Sequence, residues 1–285
     1  MTPVVLLLTL SAAGPTTEPQ TGLWQVAPGA AVRAWAAPAR PPANPRALVL
    51  IPGLHLHPLR PVRATRPEIT HWQLPNSDLV KALAKDFDVF AFGYAQTVSV
   101  DEVAKGAGLR DAVADLRRAG YTEVVLVGHS AGGVISRLFA EQYPDAGVTR
   151  VVAVAAPFAG AEMATINVGV PKGQAPFVKS LAPEFRKEAV RVNLAPLGKD
   201  VEFGCVVCKL KRLESDGVVR TRSQWPEDLQ ALGVPSVLAA SGHTDAMDDP
   251  DSTKAICELA RGKITRWSPD EVATARKVLF GDTPT

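Results

Sequence analysis

The residues best suited to chemistry sit in one stretch, Gly128-His129-Ser130-Ala131-Gly132, with the spacing G-x-S-x-G. A serine hydroxyl is a weak nucleophile until a base takes its proton. Attack on a carbonyl also needs N–H donors for the oxyanion that develops. Glycines at 128 and 132 lack a Cβ, so two backbone elements can close tightly around Ser130. The residue types therefore point to covalent catalysis, with Ser130 as the attacking group.

The flanking sequence supplies the elements such a serine needs. Residues 124–127 form a short apolar β-branched run, as a buried parallel strand would. After the motif, Val134/Leu138 and Ile135/Phe139 pair at i,i+4, the spacing of a helix with an apolar face. Strand, G-x-S-x-G and helix follow without a gap, which is the context of a nucleophile elbow. The helix behind aims its N-terminal N–H groups at the position of an oxyanion.

These residues resemble the α/β-hydrolases, and GHSAGG is similar to the lipase and esterase form of the elbow. The likeness extends over roughly residues 46–260. It implies a triad ordered Ser, then Asp or Glu, then His along the chain. Residues 214–219 look like the D-G-x-V segment that carries the acid, so Asp216 is the expected carboxylate, with Glu214 as fallback. Of the five histidines only His243 lies beyond Asp216, and the family order leaves it as the base. His129, the x residue of the elbow, is expected to point away from Ser130. By the resemblance, the loop at Pro52-Gly53-Leu54-His55 occupies the oxyanion position, with Pro52 where the family often has His; Leu54 is the expected N–H donor there and Ala131 the second.

The rest of the chain fits a doubly wound, mostly parallel sheet flanked by helices. Residues 47–51, 89–94, 148–156, 201–210 and 235–240 read as strands, and residues 77–84 as a short helix. Capping-box spacing at Ser99-Val100-Asp101-Glu102 opens a long helix that Gly120 stops. Asp251 is expected to cap a helix from about Ser252, and Ser268-Pro269 begins a terminal one. Trp24-Gln25-Val26 and residues 32–35 alternate enough to be edge strands. Residues 161–200 break the rhythm. In α/β-hydrolases this insertion is commonly a cap or lid, and Met163, Ile166, Val168, Val170, Phe177 and Phe185 would give it an apolar face. The domain scheme is thus a signal peptide over 1–14, a Pro/Ala-rich linker with edge strands over 15–45, and the hydrolase domain over 46–285.

Other features bound the partners. Lysine and arginine number 31 against 29 acidic residues, a net charge of +2, which gives no reason to expect nucleic acid. No apolar run reaches the length of a spanning helix. Residues 4–10 followed by small residues resemble a secretory signal, cleaved near Ala13, so a secreted or periplasmic location is expected. Arg60, Arg63 and Arg66 lie in a Pro-rich loop that reads as solvated, the alternative being a site for an anionic substrate group. His55 and His57 lack a nearby acid for metal binding, and His71-Trp72 reads as packing. Asp245, Asp248, Asp249 and Asp251 lack the spacing of a calcium loop. Of the three cysteines, with Cys257, the Cys205-x-x-Cys208 pair reads as a disulfide in a secreted chain or a redox or metal pair in a cytosolic one, and equally as buried inert thiols.

The resemblance implies a serine hydrolase of carboxylic esters acting on a small ester or lipid, without metal or organic cofactor. An acyltransferase on the same triad, or a non-catalytic binding protein of the same fold, are the alternatives.

Overall fold

The apolar runs become the central sheet. In the computed structural model, residues 18–166, 169–193, 197–198 and 200–281 are described; the expected signal segment and Val168 lie outside them. The strands are β1 (Thr21–Val26), β2 (Arg33–Ala34), β3 (Arg46–Ile51), β4 (Asp88–Tyr94), β5 (Glu123–His129), β6 (Arg150–Val154), β7 (Glu202–Cys208) and β8 (Ser236–Ala239). They lie in the order β2-β1-β4-β3-β5-β6-β7-β8. β1 runs antiparallel to β2 and β4, and the other pairs are parallel. The parallel strands are covered on both faces, which is why they read as unbroken apolar runs. Ala47, Val49 and Ile51 enter the core on one face and Leu48 and Leu50 the other, the two-residue period of a strand.

The helices cover the two faces: α1 (Asp78–Leu83), α2 (Val100–Lys105), α3 (Ala107–Ala119), α4 (Ala131–Gln142), α5 (Ala175–Lys179), α6 (Pro183–Asn193), α7 (Thr221–Gln224), α8 (Glu227–Ala231), α9 (Pro250–Arg261) and α10 (Pro269–Phe280). Ser99 and Ser268 open α2 and α10 with full capping boxes.

Three local details differ from the sequence expectation or resolve it. The single helix expected between residues 99 and 120 is two, because Gly106 adopts an extended conformation that ends α2 and precedes α3. The cap of α9 is Asp249, whose carboxylate accepts from the N–H of Ser252; Asp251 lies inside the helix. Cys205, Cys208 and Cys257 are buried free thiols. Cys205 and Cys208 are three apart on a strand, so they enter opposite cores.

The sheet order reverses about β3, which has β4 on one side and β5 on the other. A crevice forms at the carboxyl ends of strands at such a switch point. Here Pro52-Gly53 leaves β3 and Ser130 leaves β5, so the loop expected to hold an oxyanion and the serine emerge side by side. The opposite end is closed by a charge ladder, with Arg46 on Glu123 at 2.6 Å and Arg150 on Glu123 and Glu202 at 3.2 and 2.9 Å.

Candidate active site

The chain reverses sharply at Ser130, with φ 52° and ψ −123°, a conformation that a non-glycine residue holds only under constraint from its surroundings. That constraint is visible. The Ser130 N–H donates to the carbonyl of Val154 at 2.8 Å, and α4 begins at the next residue. A Cβ on Gly128 would lie 2.4 Å from the Gly132 oxygen, and one on Gly132 would lie 2.2 Å from the Ile51 oxygen. Only glycine fits either position, as the spacing anticipates.

His243, in the loop after β8, brings Nε2 to 3.0 Å from Ser130 Oγ. Its Nδ1 lies 2.7 Å from Asp216 Oδ2. A carboxylate only accepts, so Nδ1 carries the proton and Nε2 is left to accept from the serine hydroxyl. The Asp216 side chain is fully buried. Oδ1 accepts from the N–H groups of Val218 and Val219 at 2.9 and 2.7 Å, with Gly217 at φ 96° forming the turn between. Oδ2 also accepts from Gln224 Nε2 at 3.2 Å. The His243 N–H donates to the Asp216 carbonyl at 2.9 Å, so backbone as well as side chain joins the two loops. Glu214 is exposed and its backbone carbonyl accepts from the N–H of Thr221; it is Asp216 that meets the imidazole.

Gly53 presses against the serine. A Cβ there would lie 2.7 Å from Ser130 Cβ and 3.2 Å from Oγ. Among the described residues, the N–H groups of Leu54 and Ala131 donate to no protein acceptor. Two N–H groups flanking a nucleophile without an internal partner can receive an oxyanion.

His129, expected to point away from Ser130, turns its ring toward the loop after β8. Its Nε2 is 3.1 Å from the carbonyl of His243, and its ring sits 5.1 Å from that of His243 and edge-on to Trp72 at 6.2 Å. Burial and the adjacent His243 ring hold its pKa well below the ordinary histidine range. Gln224 was not anticipated from sequence: it binds both backbone groups of Cys208 as well as Asp216, and no local pattern marks such a residue.

A cavity of about 550 Å³ opens over Ser130 and His243. Met163, Ala164, Ile166, Val170, Val178 and Leu181 contribute one wall, and Leu54, Trp72, Val218 and Val219 others. Phe177 and Phe185, expected in that wall, are elsewhere. Phe177 is fully buried in the core against Tyr94, with ring centroids 5.9 Å apart, and Phe185 lies beside the Arg186 guanidinium. A second cavity of about 250 Å³ shares Gly53, His55, Thr70 and His71 with the first. Its lining is more polar than that of the first and includes His57, Arg66, Glu68 and Gln96. Arg63 is paired with Glu68 at 2.5 Å, and burial lowers the pKa of His57. His71 meets Asp248 at 2.6 Å at the rim.

The fold and this site define the class. The alpha/beta hydrolase family model matches residues 48–277, and the chain belongs to that family. No curated protein matches it by sequence. Among solved structures it is similar to the mature lipase of Bacillus licheniformis, with 15% identity over 78% of this chain and 94% of that one and a TM-score of 0.62. It is also similar to a phospholipase from Legionella pneumophila, with 15% identity over 82% and 62% and a TM-score of 0.54. A metagenomic carboxyl esterase gives 16% identity over 86% and 78% and a TM-score of 0.51. At these identities the likeness is one of fold.

Proposed function

We propose that this α/β-hydrolase is a serine hydrolase that cleaves carboxylic esters through an acyl-enzyme. The observation that carries the proposal is the continuous chain Asp216–His243–Ser130, with links of 2.7 and 3.0 Å. Ser130 Oγ attacks the ester carbonyl as His243 Nε2 takes its proton. The N–H groups of Leu54 and Ala131 hold the oxyanion, and buried Asp216 stabilises the imidazolium. His243 returns the proton to the leaving alcohol. Water, deprotonated by the same nitrogen, then attacks the acyl-enzyme and frees the acid and Ser130.

The two cavities support a division of the substrate. The larger and more apolar one fits an acyl chain, with residues 161–200 acting as a cap that walls it. The smaller, more polar cavity beyond Gly53 fits the alcohol part. The test is fluorophosphonate labelling with turnover of p-nitrophenyl esters. Wild-type protein is expected to label and turn over, and purified Ser130→Ala to do neither. Retained turnover in that variant excludes the mechanism.

Export through residues 1–14 belongs to the same reading. It is checked by N-terminal sequencing of the mature protein, which should begin after Ala13.

A further inference from the structure

The oxyanion donor assigned to Leu54 is the N–H of the Gly53–Leu54 peptide, and the carbonyl of that same peptide is held by a side chain. Gln96, just beyond β4, donates from Nε2 to the Gly53 oxygen at 2.9 Å. The peptide is planar and trans, so its C=O and N–H point in opposite directions. A donor fixed on the carbonyl thereby fixes where the Leu54 N–H points. The next peptide is caught by the same amide, the His55 N–H donating to Gln96 Oε1 at 2.8 Å.

A second glutamine continues the clamp from the other side of the chain. Gln174, within residues 161–200, donates from Nε2 to the His55 oxygen at 2.8 Å and accepts from the His57 N–H at 3.0 Å. The two side chains also meet, Gln174 Nε2 lying 3.4 Å from Gln96 Oε1. Gln174 is 0% and Gln96 7% exposed. Each amide has one orientation that satisfies all of these contacts; a flip would set donor against donor and acceptor against acceptor. Four successive peptides of the loop, from Gly53 to His57, thus each give one backbone group to a buried glutamine. Every one of those bonds joins segments more than 40 residues apart.

We infer that Gln96 and Gln174 are positioning residues that aim the Leu54 N–H at the reacting carbonyl, and that residues 161–200 help form the oxyanion hole through Gln174. The inference rests on the proposed ester hydrolysis. Neither glutamine touches the reacting atoms. Their effect is on a bond made fully only in the transition state, so their loss should fall on kcat and leave KM nearly unchanged. A donor removed outright from an oxyanion hole costs about 10²–10³ in kcat, so a donor misaimed should cost on the order of 10–10².

The variant Gln96→Glu keeps size and shape while removing the donor to Gly53 whenever the carboxyl is ionised. When protonated, it regains an O–H that can donate there. The experiment measures kcat and KM of wild type, Gln96→Glu and Gln174→Glu from pH 8 to pH 5, the dissociation constant of an alkyl boronic acid that forms a tetrahedral adduct on Ser130, and the thermal midpoint.

The expected result for Gln96→Glu at pH 8 is a kcat roughly 10–10² lower, KM within about threefold of wild type, and boronate affinity lowered in parallel with kcat. The ratio of variant to wild-type kcat/KM should then rise several-fold toward pH 5, a recovery that a merely structural role would not produce. Taking the ratio removes any pH dependence common to both proteins. Should Gln96→Glu lose cooperative unfolding, Gln174→Glu carries the same test from the other side of the clamp. A pH-independent ratio with kcat and boronate affinity within twofold of wild type overturns the inference and leaves ester hydrolysis standing. Absence of Ser130-dependent turnover in wild type overturns the hydrolase reading, and the inference with it.

Discussion

His129 Nε2 lies 3.1 Å from the backbone carbonyl oxygen of His243, so the residue before the serine holds the loop that carries its partner imidazole. A carbonyl only accepts, so Nε2 of His129 must carry a proton. The ring is neutral in this arrangement, and burial beside His243 opposes a second proton.

This has a consequence for acid stability. The folded-state pKa of His129 lies below its unfolded value of about 6.5. As pH falls, the unfolded chain therefore takes up the proton first. The stability from this group is complete above about pH 6.5 and is lost progressively in acid below it. His129→Gln keeps an N–H donor without a titrating group, so its urea midpoint should fall less steeply than that of wild type between pH 7 and pH 4. Parallel slopes would show that His129 protonates freely in the folded protein.

The backbone at Ser130 separates chemistry from strain. Ser130→Ala and Ser130→Gly should both abolish fluorophosphonate labelling. Their stabilities should differ. At φ 52° and ψ −123° a Cβ is costly, by about 1–3 kcal/mol, whereas glycine is at ease and loses about 0.5–1 kcal/mol in chain entropy. Ser130→Gly is expected to be more stable than Ser130→Ala by about 1 kcal/mol in equilibrium denaturation. Equal midpoints would mean that the turn costs little.

Asp216 should act through the tautomer of His243. In Asp216→Asn the amide oxygen can still accept from Val218 and Val219, but the amide nitrogen would face His243 Nδ1 and drive the ring proton onto Nε2. Nε2 could then no longer accept from Ser130. A fall in kcat of roughly 10³–10⁴ is expected, with the fold intact by circular dichroism. The loss should stay below that of Ser130→Ala, since the acid assists without reacting. A loss under tenfold would remove Asp216 from the assigned role.

The larger cavity sets an expectation for acyl length. Each methylene buried against Met163, Ile166 or Val170 should add on the order of 0.8 kcal/mol, about fourfold in kcat/KM, while the chain remains inside. The rate constant should therefore rise from acetyl to butyryl esters. Met163 is 58% exposed, so Met163→Asp should leave folding unchanged and cut the butyryl-to-acetyl ratio. A monotonic fall from acetyl onward in wild type would mean that this wall does not receive the acyl chain.

Much of the fold was legible because its signals are local. An apolar run, a glycine-flanked serine and an i,i+4 apolar pair, all within residues 124–139, mark β5, the turn and α4, and capping boxes mark α2 and α10. Asp216 and His243 were found through resemblance and chain order. Nothing in their immediate surroundings places them against Ser130, 113 residues before His243. Packing between distant segments decided the rest. Phe177 looks like a cavity wall by composition, yet the ring of Tyr94 draws it into the core. His129 has no visible partner by its place in the motif, yet the His243 carbonyl gives its Nε2 one. Gln96 and Gln174 carry no motif, because a buried amide finds its use only when a loop arrives from elsewhere with carbonyl and N–H groups to satisfy. Sequence alone therefore determined most of the elements and the candidate serine, since strand, turn and helix each follow from neighbouring residues. Tertiary structure decided which polar groups meet, because each such bond joins segments that only the assembled sheet brings together.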